Sequence, residues 1–166
     1  MTIFDIHDLK SGIPPRTRLL GLDVGSKTVG LALSDPTLTV ASPLQTLRRT
    51  KFTRDAQALR AIATEHEVGG LVIGLPVSMD GTEGPRCQSV RQFARNLLQV
   101  LDLPVAFWDE RLSTAAVERM LIDEVDMSRR RRGEVVDKAA AAYILQGALD
   151  AAAAQASSGG TPETRR

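Results

Sequence analysis

The stretch RLLGLDVGSKTVGLALS, residues 18–34, decides the fold. Two apolar runs, Arg18 to Asp23 and Thr28 to Ser34, flank Val24, Gly25, Ser26 and Lys27. Short apolar runs around a glycine-containing turn read as a β-hairpin. A weaker third strand follows over Val40 to Leu47, and Pro43 marks it as an edge strand because proline cannot donate to a ladder. The period then changes. Ala56, Leu59, Ile62, Ala63 and His66 follow helical spacing, and Gly69-Gly70 is expected to end that helix. Leu71 to Ile73 reads as a short buried strand. Val90, Phe93, Ala94, Leu97, Leu98 and Leu101 recur at helical intervals, with Gly84 and Pro85 suited to the helix start. Pro104 to Trp108 is another strand. A short helix from about Ser113 to Ile122 and an Ala-rich helix from about Glu134 to Ala152 complete the order ββ(β)αβαβαα.

An antiparallel hairpin that leads into alternating helices and strands predicts an α/β fold: a mixed sheet, antiparallel at one side and parallel beyond, with helices on both faces. The 166 residues suit one domain, placed at residues 18–152. Residues 1–17 read as a lead-in, and 153–166, rich in Ser, Gly and Pro, as a disordered tail.

Composition narrows the chemistry. Lys plus Arg is 21 and Asp plus Glu is 20, so the overall charge selects no partner and any nucleic-acid footprint must come from clustering. One cysteine, Cys87, excludes an intrachain disulfide, and with only His7 and His66 besides it a nitrogen- or sulfur-ligated metal is not expected. A bound metal would take oxygen ligands, which favours Mg2+ or Mn2+. No apolar run approaches the ~20 residues that span a bilayer. The first ten residues carry Asp5 and Asp8 where a signal peptide would be positive, so a cytoplasmic location is expected.

Three acidic positions stand out. Asp23 follows a deeply apolar run, where an ionised carboxylate is costly without a partner; the alternative is a turn aspartate bonding its own backbone. Asp109-Glu110 follows the strand VAFW, and ligands bind at the carboxyl ends of strands in such sheets; the alternative is a solvated loop or a salt bridge to Arg111. Asp137 lies near a helix start, where the dipole alone favours an acid, yet it shares a face with Ala141, Ile144 and Ala148, small enough to pack closely on the sheet. If the three converge, their repulsion calls for cations. Two hard divalent ions about 3.5–4 Å apart would serve phosphodiester cleavage.

The segments GLDVGSKTVGLALSD, GLPVSMDGTEGPRCQSVRQFARNL, WDERLST and VVDKAAAAYIL resemble, in order and spacing, the YqgF/RuvX family, a bacterial branch of the RNase H-like superfamily related to RuvC-type Holliday junction resolvases. The resemblance covers Arg18 to Leu149. It implies an RNase H-like fold, a metal-dependent nuclease, and a role in maturing the 5′ end of pre-16S ribosomal RNA in the cytoplasm. The family's acidic positions fall on Asp23, Glu110 and Asp137, which would be both catalytic residues and metal ligands.

For substrate contacts, Arg129, Arg130, Arg131 and Arg132 read as an arm between two helices that leads into the helix of Asp137 and could grip phosphates, or as a solvated charged loop. Lys27, Arg111 and Ser113 are further candidates, although Lys27 can simply close the hairpin and Ser113 can cap a helix. Arg48, Arg49, Lys51 and Arg54 could extend the track. Aromatic residues are scarce, so backbone or shape recognition is favoured over base stacking. RNA is the preferred partner, with branched DNA as the alternative and the protein a monomer or weak homodimer. Two other classes compete. A non-catalytic RNA-binding assembly factor would use the same basic residues. An actin-like ATPase would share the DVGSKTVGLAL hairpin, but that class clamps its nucleotide between two such domains.

Overall fold

The structure, a computed structural model, describes residues 3–9, 11–78, 80–110 and 129–158. Side chains are described for residues 4–9, 11–78, 80–110 and 138–154. Strands β1 (Ile3–Phe4), β2 (Arg18–Val24), β3 (Thr28–Ser34), β4 (Ala41–Arg48), β5 (Val68–Leu75) and β6 (Val105–Asp109) form one sheet in the order β1-β6-β5-β2-β3-β4. The helices are α1 (Ile6–Leu9), α2 (Phe52–Glu65), α3 (Pro85–Leu98) and α4 (Arg129–Ser158).

The hairpin is where the sequence puts it. β2 and β3 pair antiparallel from Leu20 opposite Leu33 to Val24 opposite Val29, and the Gly25 amide closes the turn on the Thr28 carbonyl at 2.8 Å. β4 adds antiparallel at the edge, with a register shift where Pro43 faces Ala32. β5, β6 and β1 extend the other side in parallel. This is the mixed sheet that the order of elements implied.

Strand alternation sends side chains to opposite faces. Leu20, Leu22 and Val24 join Leu71, Ile73 and Leu75 under α2 and α3. Leu19, Val72 and Ala106 face α1 and α4. α4 lies close to the sheet because small residues meet there. A Cβ on Gly21 would stand 2.8 Å from Leu145 Cβ and 3.1 Å from the Ala141 carbonyl. Among the described residues no helix is long and apolar enough to cross a membrane.

Four local readings change. Gly69 and Gly70 do not end α2; they lie inside β5. The helix stops at Glu65 with His66 as C-cap, and Glu67 makes the turn with φ 54°. Gly69 is needed because a Cβ there would collide with the Thr17 side chain. The lead-in is built into the fold: β1 pairs with β6, while Ile6, Leu9 and Ile13 are buried in the α4-side core. α4 begins at Arg129 instead of about Glu134, so the four arginines form its first turn and not a loop; arginine is a good helix former, which permits it. At its other end α4 reaches Ser158, six residues into the segment read as tail. The short helix proposed over Ser113 to Ile122 lies outside the described residues.

Candidate active site

The strand ends of β2, β5 and β6 gather the acids. Asp23 is the penultimate residue of β2 and points to the α4 face, like Gly21 two residues earlier. Glu110 directly follows β6 and joins the same face. Leu22 pairs with Ile73 and Gly74 with Trp108, so Gly74 of β5 lies between the two acid-bearing strands. A Cβ on Gly74 would be 2.8 Å from Glu110 Oε1, 2.9 Å from its Cγ, and 2.6 Å from Ile144 Cδ1. The glutamate therefore crosses over bare backbone to reach the neighbouring strand.

It meets Asp23 there. Burial, above all, pushes the Glu110 carboxyl from its ordinary 4.5 up to about 8; the hydrogen bond it donates to Asp23 and the negative charge of Asp23 add to this. The Arg86 guanidinium works in the opposite direction, and Asp109 contributes a smaller upward push. Of the two carboxyls, Glu110 is thus the one that favours its protonated form. Such a pair stores repulsion that a cation would relieve.

Asp137 lies in α4 one turn ahead of Ala141, but its side chain is outside the described ones, so the structure brings together two of the three acids and leaves the third to its helix position. Among the described residues, no group of three or more His, Cys, Asp or Glu gathers as a metal cluster. Arg111 and Ser113 are outside the described residues. Arg129 to Arg132 are placed by backbone alone, at the start of α4. Lys27 is exposed at the tip of the β2–β3 turn.

The loop before α3 leads to Arg86, whose charge acts on Glu110. Thr82 donates to Asp80 through both its amide and its hydroxyl, at 3.0 and 2.7 Å, and Gly81 turns with φ 89°. Glu83 binds Arg91 at 2.7 and 2.8 Å, and the Arg91 guanidinium lies 5.0 Å from the centre of the Phe107 ring. Cys87 is fully buried, and burial raises its thiol pKa, as suits a packing residue rather than a nucleophile. Arg95 donates to Gln92 at 3.1 Å along the same helix. Arg86 is exposed, and its charge acts on Glu110. Gly74 was invisible in the sequence, where it reads as the punctuation after a strand.

Residues 17–151 match the RuvX family, described as Holliday junction resolvase. The chain belongs to the RuvX family. It is 62% identical over 151 residues to a protein of Phenylobacterium zucineum, covering 90% of this chain and 97% of the relative. It is 63% identical over 155 residues to one of Rhodospirillum centenum, covering 90% and 82% respectively. Both relatives are provisionally named pre-16S rRNA nuclease. Among solved structures, Thermus thermophilus RuvC in complex with a Holliday junction substrate aligns with a TM-score of 0.52 at 15% identity, over 81% of this chain and 94% of that one. The fowlpox virus resolvase with its junction DNA aligns at 0.50 and 9% identity, over 81% and 98%. At these identities the RuvX chain shares with them the resolvase, RNase H-like fold.

Proposed function

We propose that this RuvX-family protein is a divalent-metal-dependent nuclease that hydrolyses phosphodiester bonds in maturation of the 5′ end of pre-16S rRNA, in the cytoplasm. The observation that carries the reading is the Asp23–Glu110 pair, two carboxyls from separate strands pressed together at the sheet's carboxyl end. The names of the relatives supply the substrate class.

The donor set suits Mg2+ or Mn2+. It is made of carboxylate oxygens, and the proton that Glu110 retains marks a place where positive charge is favourable. Asp23 and Glu110 would hold the ion, with Asp137 as the third ligand. α4 packs its Ala148–Leu149 region near Leu19 and its Ala141–Leu145 turn on Gly21, so its course toward its own start runs with β2 toward Asp23. When bound, the ion supplies an activated water and charge for the leaving oxygen. Lys27, Arg111, Ser113 and Arg129 to Arg132 would contact the phosphates. Arg86, exposed beside Glu110, adds positive charge where the scissile phosphate would lie.

The test is Asp23→Asn with a pre-16S 5′ fragment and Mg2+ or Mn2+. Cleavage should fall at least 100-fold while the variant melts cooperatively like the parent. Undiminished cleavage by a folded variant would remove the assignment. A second reading, cleavage of four-way DNA junctions, draws on the family's description. Two symmetric cuts need a dimer, so a monomer that leaves junctions intact while cutting the RNA decides for the first. Tight, steeply salt-dependent RNA binding with no cleavage under either metal would instead leave a binding factor.

A further inference from the structure

We infer that Arg49 is a positioning residue: it ties the turn that follows Asp23 to α3, and so holds the carboxylate and the Lys27 ammonium in place. This inference rests on the nuclease reading for its functional half. β3 and β4 pair as far as Thr28 opposite Arg48. One residue further, the Arg49 amide donates to the Lys27 carbonyl at 2.8 Å. The side chain then folds back over the turn, and Nη1 donates to the Gly25 carbonyl at 2.7 Å. One residue thus takes two carbonyls of a turn that begins two positions after Asp23.

The same guanidinium lies 5.1 Å from the centre of the Phe93 ring on α3. Phe93 is buried and meets Phe52 of α2 edge-on, with centroids 5.6 Å apart and planes at 85°. The turn is therefore anchored to the helical layer through one flat cation. Only arginine does both jobs: its planar group donates in its plane while an aromatic ring covers its face, and a lysine ammonium cannot. Arg48, Lys51 and Arg54 are exposed, whereas Arg49 is half-buried and committed to the turn. It leaves the phosphate track to them.

The test compares Arg49→Ala and Arg49→Lys with the parent by kinetics on the RNA fragment and by amide hydrogen exchange. The Gly25 amide, bonded inside the turn to Thr28, is the reporter, and the amides of β5 are the control. Exchange at Gly25 should quicken at least tenfold in both variants with β5 unchanged, and kcat should fall about tenfold with KM within twofold. A rise in KM at constant kcat would make Arg49 a substrate contact and overturn the inference. So would full activity of the lysine variant, unchanged exchange at Gly25, or exchange that quickens equally in β5. If the alanine variant does not fold, the lysine variant alone decides on the same readouts. If the parent cleaves no nucleic acid, the nuclease reading fails, and the exchange arm still decides whether Arg49 holds the turn.

Discussion

Replacing Glu110 by glutamine should make the metal-free protein more stable at alkaline pH. Glu110 holds its proton to about pH 8 in the folded chain, against 4.5 for an ordinary glutamate. Between those values the native state binds more protons than the unfolded one, so stability falls as pH rises, and the whole contribution is gone above about pH 8. A displacement of about 3.5 at about 1.36 kcal/mol each bounds the effect near 5 kcal/mol. Glu110 is only half-buried and Arg86 faces it, so solvent and counter-charge reduce the expectation to about 2–3 kcal/mol. Glutamine keeps a donor toward Asp23 and carries no charge at any pH. Urea or thermal unfolding in EDTA from pH 4 to 9 measures the difference. Trp108, the only tryptophan, reports it, because its indole lies against Gly147 of α4. Parent and Glu110→Gln should coincide near pH 4 and diverge up to pH 8, where the variant melts roughly 5–10 °C higher. Curves that stay parallel across the range would refute the account of a protonated Glu110. Saturating Mn2+ at pH 8 should close the gap, since an ion that binds only the folded parent adds about 2.7 kcal/mol at a hundred times its Kd.

Gly74→Ala should cost about 1–3 kcal/mol, because the new Cβ displaces both Ile144 and Glu110. Its effect on cleavage should exceed its effect on the melting temperature, since the glutamate is driven off its path to Asp23; loss of stability with full cleavage would count against the crossing geometry. Glu67→Gly should stabilise the protein by about 0.5–1 kcal/mol in urea unfolding, because Glu67 is exposed and holds φ 54°, a conformation that costs a side-chain-bearing residue about 1–2 kcal/mol before the entropy of glycine is subtracted. Activity should not change.

The architecture was legible in the order of apolar runs. RLLGLD and TVGLALS around Gly25 make a hairpin by local pairing, and the later change of period separates helices from parallel strands. Pro43 identified the edge strand because proline cannot donate to a ladder, and β4 lies at the end of the sheet. Asp23 was picked out because a carboxylate after an apolar run is costly wherever it lands, Glu110 because it follows a strand, and Asp137 because it shares a helix face with small apolar residues. Other features depended on distance through space. Gly69 and Gly70 read as a helix stop, yet they serve Thr17 and Ile13, which pack against them from far along the chain. Arg49 reads as one charge in a basic cluster, but its partners, Gly25 and Phe93, lie 24 positions before it and on another element.

The sequence by itself determined the hairpin, the edge strand, α2, α3 and the strands between them, since propensity and periodicity act within a few residues; β1 and α1 escaped it because they are held by β6 and α4. Only the tertiary structure decided that Glu110 reaches Asp23. That contact crosses a third strand, and it exists because β5 presents a glycine where any other residue would stand in the way.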